Sequence, residues 1–223
     1  MKKELFFQAI GKFFVGFVLV GLLIFAPAGT LRFWNGWLLM LILFVPMFCA
    51  GLIMLWKNPD LLRKRLKARE SEGEQKQVIL FSGIMFLAAF ILAGLNFRFR
   101  WLILPDWLVW AAAAIFLIAY LLYAEVLREN AYLSRTIEVQ ENQKVVDTGL
   151  YGIVRHPMYA VTLFLFLAMP LVLGSLISFA VMLFYIPIIV KRIRNEEQVL
   201  KEGLEGYEEY CSRVKYRLVP YLW

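Results

Sequence analysis

Apolar positions along this chain gather into long blocks, and polar positions fall in the short gaps between them. Six blocks can be read, at about residues 6–28, 34–56, 78–97, 107–127, 157–173 and 176–190. Most run to about 20 residues, the length a helix rising ~1.5 Å per residue needs to cross a hydrocarbon layer roughly 30 Å thick. The pattern predicts an all-α, polytopic integral membrane protein with about six transmembrane helices. Trp34, Trp37, Trp56, Trp101 and Trp107 sit near block ends, where an indole ring prefers the headgroup layer.

Composition sharpens this picture. The chain has 223 residues, 61% hydrophobic and 18% charged, with a mean hydropathy of +0.68. A soluble domain of this size still needs a polar coat and cannot hide that much apolar surface. The net charge of +7 invites a nucleic-acid reading, but the cations lie between the blocks, as they do beside an anionic membrane face. Twenty of the 24 Lys and Arg fall before the first block, at 57–76, at 128–155 and after residue 190. Only Arg32, Arg98 and Arg100 lie on the other side, and Lys12 sits inside the first block. That asymmetry predicts both termini in the cytoplasm, with a prokaryotic plasma membrane as the expected setting and no nucleic-acid partner.

Other classes find little support. Cys49 and Cys211 make neither a disulfide framework nor a zinc site. One histidine, His156, rules against a histidine-built metal centre, so no metal is expected. The first block lacks the small-residue cleavage pattern of a signal peptide. A transporter would show paired broken helices or a midplane charge pair, and Glu125 lies near a helix end instead.

Two regions follow from the pattern: residues 1–127, an N-terminal set of transmembrane helices, and residues 128–223, where the chemistry gathers. Within the second, residues 136–140 alternate apolar and polar positions. Glu141, Asn142 and Gln143 make a polar turn before 144–146, so a small surface hairpin is expected. Residues 194–212 read as an amphipathic cytoplasmic tail helix, with Val199, Leu200, Tyr207, Tyr210 and Cys211 on one face. Pattern alone allows that helix to be a plain interfacial one.

The last two blocks are separated only by Gly174-Ser175, which predicts a tight helical hairpin. Arg155 and His156 lie about 18 residues before that turn and Arg192 about 18 after it, so both arms are roughly 26 Å long. Geometry then places Arg155, His156 and Tyr159 level with Arg192, Glu196 and Glu197. Pro157 suits the first helical turn, while Pro170 and Pro187 fall inside the arms and should bend them. Taken singly, Arg155, Arg192 and Arg194 read as membrane anchors, Glu196-Glu197 as a solvated helix start, and His156 as an interfacial residue. Taken together, they are convergent polar groups beside a lipid-facing cleft, the usual mark of a functional site.

Residues 149–159 read Gly-Leu-Tyr-Gly-Ile-Val-Arg-His-Pro-Met-Tyr, and Arg192-Ile-Arg-Asn-Glu-Glu197 follows one hairpin later. This Arg-His-Pro-x-Tyr segment, hairpin and Glu-Glu pair resemble the isoprenylcysteine carboxyl methyltransferase family and its phospholipid-methyltransferase-like kin. The tail Gly206-Tyr-Glu-Glu-Tyr210 and the ending Tyr216-Arg-Leu-Val-Pro220 are similar to it as well. The likeness runs from about Asn130 to the last residue.

The resemblance implies S-adenosylmethionine as cofactor, held by the hairpin and surface loops. It implies that Gln140, Gln143, Lys144, Val145, Val146, Tyr151, His156, Pro157, Met158 and Tyr159 line the cofactor pocket. Glu196 matches the carboxylate that holds the cofactor, Glu197 completes the pair, and Arg192 matches the catalytic arginine beside the acceptor. Chemistry agrees: carboxylates suit a ribose diol or an ammonium, and the planar fork of Arg155 suits the cofactor carboxylate. The implied partners are a lipophilic small molecule or lipidated substrate, together with membrane lipids. A carboxylate acceptor is already a nucleophile at neutral pH and needs no base. Where the family often has Pro and Arg, this chain has Leu150 and Gly152, which leaves the acceptor class open. A dinucleotide-dependent membrane reductase of similar helical arrangement and a non-catalytic scaffold are the rival readings.

Overall fold

The computed structural model describes residues 2–66, 73–130, 132–133 and 139–223. Among these, nine α-helices form: α1 (Lys2–Ala28), α2 (Trp34–Lys57), α3 (Pro59–Leu66), α4 (Gly73–Phe99), α5 (Asp106–Glu129), α6 (Pro157–Val172), α7 (Leu176–Met182), α8 (Tyr185–Gly203) and α9 (Tyr207–Arg213). All six apolar blocks are helical, and no strand occurs among the described residues. Five stretches are long and apolar enough to cross a membrane: α1, α2, the apolar part of α4, α5, and α7 with α8. The sixth apolar helix, α6, has 16 residues, about 24 Å of rise, and packs closely against α5 and α7.

The outward faces show what solvent the bundle expects. Phe7, Trp56, Trp107 and Leu121 are all exposed, and Trp56 reaches 87%. A water-soluble bundle keeps such patches small, whereas hydrocarbon leaves them at no cost. Inside, α4 lies directly on α1 because residue 94 is glycine. A Cβ there would stand 2.5 Å from the carbonyl oxygen of Ile24, so only a hydrogen side chain permits the approach.

The C-terminal helices make the expected hairpin, with its apex at Gly174-Ser175. Ser175 caps α7 by accepting the N–H of Ser178 at 3.2 Å. Two buried amides from other helices hold this apex. Asn35 donates to the carbonyl of Val172 at 3.1 Å. Asn96 donates to the carbonyl of Gly174 at 3.5 Å and to that of Leu102 at 3.0 Å, and accepts the N–H of Leu102 at 2.9 Å. Below the apex, the arm breaks at Leu183 and Phe184, between α7 and α8. Pro187 sits four residues after Leu183 and has no N–H to offer its carbonyl, so the ladder fails there and the arm bends.

Two surface expectations take a different form. The tail is not one helix: α8 runs on to Gly203 and a separate α9 begins at Tyr207. The break falls at Gly206, whose φ of +79° is a left-handed conformation that disfavours any side chain. It turns α9 back so that Leu204, Tyr207, Tyr210 and Val214 bury together. Of the expected surface hairpin, Thr136, Ile137 and Glu138 lie outside the described residues. The polar turn is present, with the N–H of Gln143 donating to the carbonyl of Gln140 at 3.1 Å. Lys144, Val145 and Val146 follow without strand pairing, and Val145 packs on the tail cluster instead.

Candidate cofactor cavity

The site forms at the open end of the hairpin, opposite the apex. Pro157 begins α6 at the position where a missing N–H costs nothing. The two residues before it would leave their N–H groups orphaned, but the C-terminal segment supplies acceptors. Arg155 donates its N–H to the carbonyl of Tyr216, and His156 to that of Arg217, each at 2.9 Å. Tyr159 sits within the first turn of α6 and projects its hydroxyl toward α8, donating to Glu196 in a short hydrogen bond. The same hydroxyl accepts from Arg192 Nε at 3.0 Å. Arg192 and Glu196 are four residues apart on α8 and therefore share a face.

Glu197 is one residue on, about 100° round the helix, and points elsewhere. It is 4% exposed. Its Oε1 accepts Arg155 Nε at 2.8 Å and lies 3.3 Å from His156 Nε2. Its Oε2 accepts Arg217 Nε at 2.8 Å. Burying a lone carboxylate is costly, and such a cluster stands only because the surrounding donors offset the lost hydration. Arg155 is tied further by its Nη1, which donates to the carbonyls of Val214 at 2.7 Å and Lys215 at 2.9 Å.

Around these groups lies a cleft of about 830 Å³, counting its open mouth. One side is the Tyr159, Arg192 and Glu196 face, with Arg155, His156 and Met158 beside it. A second side is Gln143 to Val146 with Tyr151, Asn130, Tyr132 and Leu133. The floor is Val199, Leu200, Leu204, Tyr207 and Tyr210. Tyr151 is held by Asn130, which donates to its hydroxyl at 3.0 Å, and by Tyr210, whose hydroxyl donates to its carbonyl at 2.7 Å. The short 3₁₀ turn Gly149–Gly152 carries it. Glu129 steadies that turn by accepting the N–H of Leu150 at 3.0 Å. Burial pushes the Tyr151, Tyr207 and Tyr210 hydroxyls well above the usual phenol range, so near neutrality they are uncharged donors. Among the described residues, the buried Tyr207 hydroxyl has no nitrogen or oxygen partner and lies beside the Cys211 thiol.

Of the residues singled out in the sequence, Gln143, Lys144, Val145, Val146, Tyr151, Arg155, His156, Met158, Tyr159, Arg192 and Glu196 line this cleft. Gln140, Pro157 and Glu197 do not. Gln140 shapes the turn, its N–H donating to Gln143 Oε1 at 2.9 Å. Pro157 packs as the start of α6, and Glu197 faces the buried cations. Sequence reasoning missed Asn130, Tyr132 and Leu133 as wall residues and Arg217 as a partner of Glu197. Tyr207 and Tyr210 had a signal, their shared helical face; Arg217 had its place in the ending at residues 216–220, which points to no particular partner.

A bundle of apolar helices with a cleft of mixed polar and apolar lining at one end defines a polytopic membrane protein with a candidate binding site. Residues 109–202 match the isoprenylcysteine carboxyl methyltransferase (ICMT) family. The chain is ICMT-like in sequence over that segment, and the segment contains both arms of the hairpin.

In fold the likeness extends further. The solved structure of the eukaryotic intramembrane Ras methyltransferase ICMT superposes with a TM-score of 0.59, covering 98% of this chain and 85% of that one at 16% identity. A stretch of 91 residues is 34% identical to the Delta(14)-sterol reductase TM7SF2 of Mus musculus, covering 40% of this chain and 22% of that protein. The chain thus matches only about a fifth of the length of that curated relative.

Proposed function

We propose that this protein is an S-adenosylmethionine-dependent methyltransferase whose acceptor is lipophilic, a carboxylate on a prenylated or lipid-like molecule. The observation that carries the reading is Glu196 on the cleft wall beside Tyr159 and Arg192, inside the segment that matches the ICMT family. The residues fit the cofactor. A carboxylate suits its diol or ammonium, and the Tyr151, Tyr207 and Tyr210 rings on the cleft lining suit a planar base. When bound, S-adenosylmethionine supplies an electrophilic methyl group. Arg192 orients the acceptor anion, and Tyr159 fixes the Arg192 guanidinium relative to Glu196. Holding acceptor and methyl donor in line supplies much of the rate. On this reading the cleft and both termini face the cytoplasm, and the acceptor arrives sideways from the bilayer.

Two substitutions test it. Glu196→Gln should abolish binding of S-adenosylhomocysteine in calorimetry while the protein stays folded in detergent; wild-type affinity would remove Glu196 from the site. Arg192→Ala should spare that binding and lower turnover, by roughly 10²-fold for a lost orienting group. Equal loss of both would move Arg192 among the cofactor ligands.

The sterol-reductase identity over 91 residues favours a second reading, a reductase using NADPH. Titrating the wild-type protein with S-adenosylhomocysteine and with NADPH separates the two, since each reading expects one ligand to bind and the other not to.

A further inference from the structure

The Glu-Glu pair divides its labour, and the second member works through the C-terminal segment. Both oxygens of Glu197 are occupied by protein donors, and its side chain is 5% exposed, so it has no free face for a ligand. Arg217 comes from beyond α9 and is the most exposed of its cations, at 32%. Its guanidinium also stacks over the ring of Trp223, 5.3 Å from the centroid. The main-chain oxygen of Trp223 accepts the N–H groups of Arg217, Leu218 and Val219 at 2.9, 2.9 and 3.2 Å. The segment is therefore folded on itself before it meets the site.

Leu218, Val219 and Trp223 pack with Tyr159, Ile189 and Ile193, and the segment's backbone acceptors converge on the two residues that lead into α6. The carbonyls of Tyr216 and Arg217 take the N–H groups of Arg155 and His156. The carbonyls of Val214 and Lys215 take the Arg155 side chain. Arg155 and His156 themselves line the cleft, and His156 lies against Tyr159, with ring centroids 5.7 Å apart.

We infer that Arg217 and Glu197 are positioning residues: together they clasp residues 214–223 onto the Arg155-His156 corner and set the wall of the cleft without touching its ligand. Glu196 is the ligand-facing carboxylate and Glu197 the one that builds the wall. The inference deepens the methyltransferase reading in its affinity test, but the clasp itself can be measured without any ligand.

The test compares wild type, Arg217→Gln, Arg217→Lys and Glu197→Gln in detergent. Two measurements are made on each: S-adenosylhomocysteine affinity by calorimetry, and hydrogen exchange of the peptide carrying the Arg155 and His156 amides. Arg217→Gln and Glu197→Gln should speed exchange at that peptide, leave the α1 to α5 peptides protected, and weaken binding about 10-fold or more by loss of preorganisation. Arg217→Lys should recover part of both, because a charge remains without the fork. Unchanged exchange in Arg217→Gln overturns the clasp, as does affinity that stays at wild type while exchange rises. If wild type binds no S-adenosylhomocysteine, the cofactor reading fails and the exchange result alone decides the clasp. Should Glu197→Gln not fold, Trp223→Leu removes the stacking partner of Arg217 with some packing beside Leu218 and should produce the same exchange pattern at smaller size.

Discussion

The two ends of the hairpin formed by α6 with α7 and α8 are both polar and both buried, yet they are built from opposite materials. At the apex, Asn35, Asn96, Ser175 and Ser178 are neutral, and their partners are backbone groups or one another. At the open end, Arg155, His156, Glu197 and Arg217 are ionisable and paired side chain to side chain. Neutral amides satisfy a turn at modest desolvation cost. A buried ionic cluster is a poor way to gain stability, so its presence beside a cleft argues that the position of charge is what matters there. The apex holds the hairpin shut; the other end holds a cavity open.

This contrast can be attacked from its strongest side first. Glu197→Ala strands Arg155 and His156 in a buried setting and should cost about 3–5 kcal/mol. Reversible unfolding by SDS in mixed micelles would measure it, and a cost under about 1 kcal/mol would erase the distinction between the ends. Asn96→Leu comes next. It leaves the Leu102 N–H and carbonyl without this partner, for about 1–3 kcal/mol, and should not alter S-adenosylhomocysteine affinity. A drop in affinity there would mean the apex is coupled to the cleft. The smallest effect belongs to Ser175→Ala, which removes the α7 cap for about 1 kcal/mol; circular-dichroism melting in detergent would register it as a modest shift.

The N-terminal helices offer no such contrast, and the reason is visible in their surfaces. On α1, α2, α5 and the apolar part of α4 the exposed positions are largely apolar, matched to lipid along their length. Close approach there depends on small residues such as Gly94 more than on hydrogen bonds.

Much is legible in the chain alone. Block length alone determined the helices, because a segment that crosses hydrocarbon must satisfy its own backbone. Equal arm lengths on either side of Gly174-Ser175 determined that Tyr159 would meet Arg192 and Glu196. What tertiary structure alone decided was direction. Two adjacent glutamates differ by about 100° of helix rotation, and no pattern says which one the neighbouring elements will enclose. The partner that settles it for Glu197, Arg217, lies 20 residues away beyond a glycine break, in a segment with no periodicity to read. The tail folded back because left-handed Gly206 turned it, and only that return brought the backbone acceptors to Arg155 and His156.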